Sequence, residues 1–92
     1  MTIEAGYVKV GDLVPGDIVE NGPMKATFIG RHGQHPRYPN TALNLVVWVL
    51  EDGTLSFDAL LSEQEVGHRY IMDPVDRLRN LERELRRPHG AA

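Results

Sequence analysis

Hydrophobic and polar positions change period twice along the chain, and each change marks an element. Val8 and Val10 alternate with polar neighbours, which predicts a short strand. Pro15-Gly16 then predicts a type II turn, because proline fixes φ at the second turn position and glycine accepts positive φ at the third. Ile18-Val19 opens another extended run, ended by Asn21-Gly22-Pro23, and Ala26–Gly30 reads as the next strand with Phe28 as a core contact. Leu43–Leu50 is apolar on both faces and holds the single tryptophan, Trp48, read as core. That pattern predicts a central strand buried on both sides. Glu51-Asp52-Gly53-Thr54 predicts a hairpin turn, since Asp-Gly favours left-handed turn conformations. Leu55 and Phe57 alternate with Ser56 and Asp58, so both are expected to point inward. Ala59–Glu65 reads as a turn or short helical segment, and Val66–Ile71 as a last strand.

From residue 73 the period becomes helical. Asp73 is placed to cap, Pro74 suits the first helical position, and Asp76 lies where the helix dipole favours an anion. Val75, Leu78, Leu81 and Leu85 make one apolar stripe, while Arg77, Arg79, Arg83, Arg86 and Arg87 occupy the other faces. Glu82 and Arg86 form a favourable pair one turn apart, and Pro88 stops the helix. The stripe needs a cover: its own sheet, a second copy of the chain as a homodimer, or a partner helix. Together the elements predict a mainly β fold, a small SH3-like antiparallel β-barrel of about five strands with a C-terminal amphipathic α-helix. The barrel takes residues 1–72, the helix 73–87 and a frayed tail 88–92. The run Leu13-Val14-Pro15-Gly16-Asp17-Ile18-Val19 resembles the start of small β-barrels, in which the leucine plugs one end. An open antiparallel α+β sheet is the competing architecture.

With 92 residues there is room for one small domain, and 41% hydrophobic residues suffice to fold it. The longest apolar run, Leu45–Leu50, is too short to span a membrane, and the N-terminus lacks an export pattern, so a cytoplasmic location is expected. No cysteine is present, which removes disulfides, thiolate ligands and thiol nucleophiles. Residues 1–72 carry five basic against nine acidic groups, a net charge of −4, and residues 73–92 carry five arginines against four acids. The acidic body argues against broad nucleic-acid binding, while the tail keeps a local basic surface.

Candidate chemistry is sparse. Ser56, Ser62, His32, His35 and His68 supply catalytic residue types, but no glycine-flanked nucleophile elbow ties them together, so no catalytic residue is expected. His32 and His35, even with His68 or Asp58, lack the cysteine partners that make a zinc pattern specific, and no metal or cofactor is expected. Asp12 and Asp17 read as turn residues whose carboxylates bond nearby amides. The ten residues Arg31–Asn40 hold two prolines and no periodicity; a loop typically runs to about 4–6 residues, so this one is the first candidate binding surface. Its Arg31, His32, His35, Arg37 and Tyr38, with Arg79, Arg83 and Arg86 of the helix, form the expected contact set for a protein partner. The alternative is a nucleic-acid-binding barrel using Arg31, Arg37, Arg79, Arg83, Arg86 and Arg87.

Three runs carry a more specific likeness: Val10–Val19, Val46–Gly53 and Ser56–Leu60. Across residues 8–72 the chain resembles small uncharacterised proteins of actinobacteria and of the phages that infect them. The resemblance implies a short phage or prophage accessory protein acting in the host cytoplasm, and no active site. The long irregular loop, the arginine-bearing helix and the missing catalytic signatures add the expectation that it binds and modulates a host protein. The opening motif also resembles the start of the self-splicing Hint fold. This chain lacks the Cys or Ser at the start and the His-Asn ending of that family, so autoprocessing is rejected.

Overall fold

The computed structural model describes residues 2–34, 37 and 43–88, with His32–Gln34 described by their backbone. Six strands and one helix follow in order: β1 Val8–Lys9, β2 Ile18–Asn21, β3 Met24–Gln34, β4 Leu43–Leu50, β5 Leu55–Leu61, β6 Glu65–Arg69 and α1 Pro74–Arg86. The strands form one antiparallel sheet in the order β1-β6-β2-β3-β4-β5. The fold is thus mainly β with a C-terminal helix, and the sheet has two edges, β1 and β5, rather than the closed ring of a barrel.

The turns form as the glycines require. Asp17 N–H donates to the Val14 carbonyl across Pro15-Gly16, and Gly16 sits at φ 98°, the left-handed value that a type II turn demands. After β1 comes a single 3₁₀ turn, Val10–Asp12. Its Val10 and Gly11 amides donate to Gln64 and Ser62, which ties the segment behind β1 to the β5–β6 turn and curls the sheet. The core lies inside that curl. Val8, Val10, Leu13, Val19, Phe28, Val46 and Trp48 are buried together, with Phe28 and Trp48 edge to face at 5.4 Å. Leu13 is buried among them, within an open sheet rather than at the end of a closed barrel.

Four expectations change. β3 continues to Gln34, so the first four residues of the predicted 31–40 loop are strand. Ala59–Leu61 belong to β5, not to a turn or helical segment. Phe57 does not point inward: it pairs with Val47 on the outer face and is 59% exposed. Phe57 therefore lies on the side opposite Val46 and Trp48, which strand alternation makes the rule. β4 is buried on both sides only toward its C-terminal end, where Val46 and Trp48 face the core and Val49 is buried on the outer face, while Leu43, Leu45 and Val47 of that outer face are half-buried.

Candidate protein-docking surface

The helix begins as the sequence predicts. The Asp73 carboxylate accepts the Asp76 amide at 2.9 Å, and Pro74 occupies the first turn. That bond holds the Asp73 carboxyl below its ordinary value. The surprise is which face α1 lays on the sheet. Arg77 Nε donates to Asp17 Oδ1 at 2.9 Å, Asn80 Nδ2 donates to the Gly16 carbonyl at 2.8 Å, and Glu84 is buried beside Arg87 at 3.1 Å. Arg77, Asn80 and Glu84 recur at helical spacing and form a second, polar stripe. This stripe is the docked one. Val75, Leu78 and Leu85 of the apolar stripe are 55, 64 and 57% exposed, and Leu81 is half-buried. The apolar stripe of α1 is therefore not covered by the sheet.

The turn beneath the helix explains the choice. Asp17 is a fully buried carboxylate, and a buried charge is tolerated only when paired and hydrogen-bonded. Its Oδ2 accepts the Val14 amide at 2.7 Å, as expected of a turn residue, and Arg69 Nη1 lies 3.5 Å away. Arg77 completes the set from the helix. Gly16 allows the approach: a Cβ there would stand 2.3 Å from the Arg77 carbonyl oxygen, so only glycine lets the helix backbone sit on the turn. An apolar helix face laid on this turn would take Arg77 from Asp17 and leave it only the more distant Arg69.

The predicted contact residues divide into three groups. Arg31 is exposed as a residue, but its guanidinium is engaged structurally, donating to the carbonyls of Val10 at 2.5 Å and Leu13 at 3.4 Å and lying 5.7 Å from the Phe28 ring. Arg37 is exposed, while the His32 side chain, His35 and Tyr38 lie outside the described residues. Arg79, Arg83 and Arg86 project outward from α1, each beside a carboxylate: Asp76 at 3.9 Å, Glu84 at 3.7 Å and Glu82 at 3.4 Å respectively. Arg83 also donates to Asn80 Oδ1, and so steadies the docked amide. The residues that sequence reasoning missed are Asn80, Glu84 and the Asp17–Arg77 pair. Their signal was the spacing of the polar stripe.

Elsewhere the chemistry is structural. His68 Nδ1 lies 3.1 Å from the Glu4 carbonyl and its ring stands edge-on to Tyr7 at 4.5 Å, which fastens the N-terminal segment to β6. Ser62 Oγ accepts from Asn44 Nδ2 at 2.7 Å. A groove of about 520 Å³ opens beside Trp48, with Lys25, Asp58 and Glu65 at its rim and Val19, Leu60 and Val66 in its floor. Among the described residues its lining holds no serine, threonine, cysteine or histidine. Among the described residues no cluster of three or more metal-ligating side chains occurs, and no helix is long and apolar enough to cross a membrane. No family model, curated protein or solved structure matches the chain.

Proposed function

We propose that the chain is a non-enzymatic protein-binding module whose contact element is the outward side of α1. One observation carries this reading: the helix is seated by its polar face and turns its apolar stripe to the surface. Leaving large apolar side chains exposed forgoes burial energy, and contiguous exposed apolar surface marks interaction sites. Val75, Leu78 and Leu85 supply apolar contact area, and Arg79, Arg83 and Arg86 fix orientation at its border. In this reading the curled sheet is a relative of the small SH3-like barrels and serves as the platform for α1. The partner is a host protein, the chain acting as a phage-encoded accessory factor in the host cytoplasm.

The nucleic-acid alternative is less well supported. Phosphate binding needs cations free to replace counterions, and the helix arginines each stand within 4 Å of a carboxylate. The test is affinity capture from actinobacterial lysate after nuclease treatment, with the wild-type chain and with Leu78→Glu/Leu85→Glu. The reading predicts one stoichiometric protein partner, lost in the double variant while its circular dichroism stays native. Equal capture by both chains would overturn it. Recovery only of nucleic-acid-associated proteins, abolished by nuclease, would favour the alternative.

A further inference from the structure

The apolar stripe of α1 does not stand alone. The helix lies on the outer face of the sheet, where Asn80 reaches Thr27 and where Thr27 pairs with Val49. Along that same face Val49 is buried and its partner Leu55 half-buried, and beyond them the β4–β5 ladder presents three apolar rows: Val47 with Phe57, Leu45 with Ala59 and Leu43 with Leu61. Phe57 and Leu61 are exposed. The orientation of α1 joins the two surfaces. Its Arg83 and Arg87 flank lines a small cleft with Lys25, Leu50 and Glu51, at the far end of the ladder from Val47. At about 3.6 residues per turn, Leu78, Leu81 and Leu85 fall on the opposite flank, the one turned toward Val47 and Phe57. Helix wall and ladder floor thus form one apolar surface.

We propose that this surface is the interface of a two-fold homodimer. The proposal rests on the reading of α1 as a contact element but assigns its apolar stripe to a second copy, so that a host protein meets the assembled dimer rather than the stripe itself and Leu78→Glu/Leu85→Glu loses capture by dispersing that dimer. Size is the first argument. Val75, Leu78, Leu85, Phe57 and Leu61 together expose on the order of 500 Å² of apolar surface, the scale of a functional patch. With the charged border it approaches the roughly 800 Å² per partner of a stable interface. Charge is the second argument. The stripe from Val75 to Leu85 is centred near residue 80, and Arg79 and Glu82 border it on either side of that centre. Two helices crossing antiparallel about a two-fold axis there place Arg79 of each copy against Glu82 of the other. In a parallel pair the two-fold carries this flank to opposite sides of the two helices, so Arg79 and Glu82 of the two copies would not meet. The border is therefore self-complementary in one orientation only, as an isologous interface requires. The dimer leaves Arg83 on the outer side of each helix for another protein.

Sedimentation equilibrium of the purified full-length chain tests this, from low micromolar to several hundred micromolar. The expected result is a mass rising to twice 10.3 kDa. Leu78→Glu should weaken association by at least about tenfold, as for a central interface residue, with native circular dichroism. Arg79→Glu should weaken it, and Arg79→Glu with Glu82→Arg should restore it. Because the chain has no cysteine, single substitutions report proximity directly. Leu81→Cys, near the axis, should form a disulfide dimer on mild oxidation, and Arg83→Cys should not. A wild-type chain that stays monomeric throughout overturns the homodimer. Failure of the double swap to restore association overturns the antiparallel arrangement. Both measurements use the pure chain, so a monomer that still captures a partner through Leu78 and Leu85 would refute the second copy and leave the protein-binding reading standing.

Discussion

Asp17→Asn is the substitution that most sharply probes how α1 is held. The native carboxylate is fully buried and accepts hydrogen bonds from the Val14 amide at 2.7 Å and Arg77 Nε at 2.9 Å, with Arg69 Nη1 a more distant ion-pair neighbour at 3.5 Å. Asparagine keeps the volume but removes the charge, and sets an NH₂ group against a donor on one side. A hydrogen bond to a charged group contributes about 1.5–3 kcal/mol. Orphaning a fully buried charge costs about 3–5 kcal/mol. The two arginine side chains are each 24% exposed, so water offsets part of that loss. The net expectation is a destabilisation of about 2–4 kcal/mol. In a domain of this size each kcal/mol lowers Tm by about 4–8 °C. Thermal melts followed at 222 nm, with protein concentration held fixed, measure the change. Repeating the substitution in an Arg77→Met background should show a smaller effect, because the pair is already broken. A loss below about 0.5 kcal/mol, within the scatter of ordinary surface substitutions, would refute the clasp. So would full additivity with Arg77→Met.

Three further outcomes follow from the same contacts. Gly16→Ala should cost about 1–3 kcal/mol from positive φ alone, with a further loss of helix signal because the new Cβ meets the Arg77 carbonyl; an unchanged melt would contradict the close approach. Arg31→Ala should cost about 1–2 kcal/mol by stripping the Val10 carbonyl of its donor and leave partner capture at equal folded concentration unchanged; the reverse pattern would return Arg31 to the binding surface. On acidification the cap should fail in a defined window. The Asp73 carboxyl is held below its usual range by the Asp76 amide, so its contribution is complete above the ordinary carboxylate value and is lost as pH falls through the lowered one. A carboxyl-carbon NMR titration of Asp73 with its midpoint at or above the ordinary value would sink that assignment.

The sheet was largely legible in the sequence because its signals are local. Pro15-Gly16 and Asp52-Gly53 fix their turns whatever surrounds them, and Gly53 adopts φ 90° as the hairpin requires. The apolar run Leu43–Leu50 placed Trp48 in the core correctly, but alternation assigned Phe57 the wrong face. Periodicity says which residues share a face, and burial depends on what covers it. The same limit decided α1. Two stripes at helical spacing were present, Val75-Leu78-Leu81-Leu85 and Arg77-Asn80-Glu84, and hydrophobicity alone selects the first. The docking surface selects the second, through a buried carboxylate at Asp17 and an open carbonyl at Gly16 contributed from some sixty residues away. Asp17 looked like an ordinary turn residue because its Val14 bond is local while its Arg77 bond is not. Arg31 shows the converse, an apparent surface cation committed to the carbonyls of a distant turn.

The face by which α1 docks is the account's central claim, and nuclear Overhauser contacts within one chain test it most directly. Isotope filtering separates these from contacts between copies. The structure predicts contacts from the Asn80 side-chain amide to Gly16 and Thr27, and from the Arg77 side chain to Gly16, with none from the Leu78 or Leu85 methyls to Ile18 or Thr27. Contacts from those leucine methyls to Ile18 and Thr27, with the Asn80 amide free in solvent, would contradict it and remove the outward surface on which the proposed function stands.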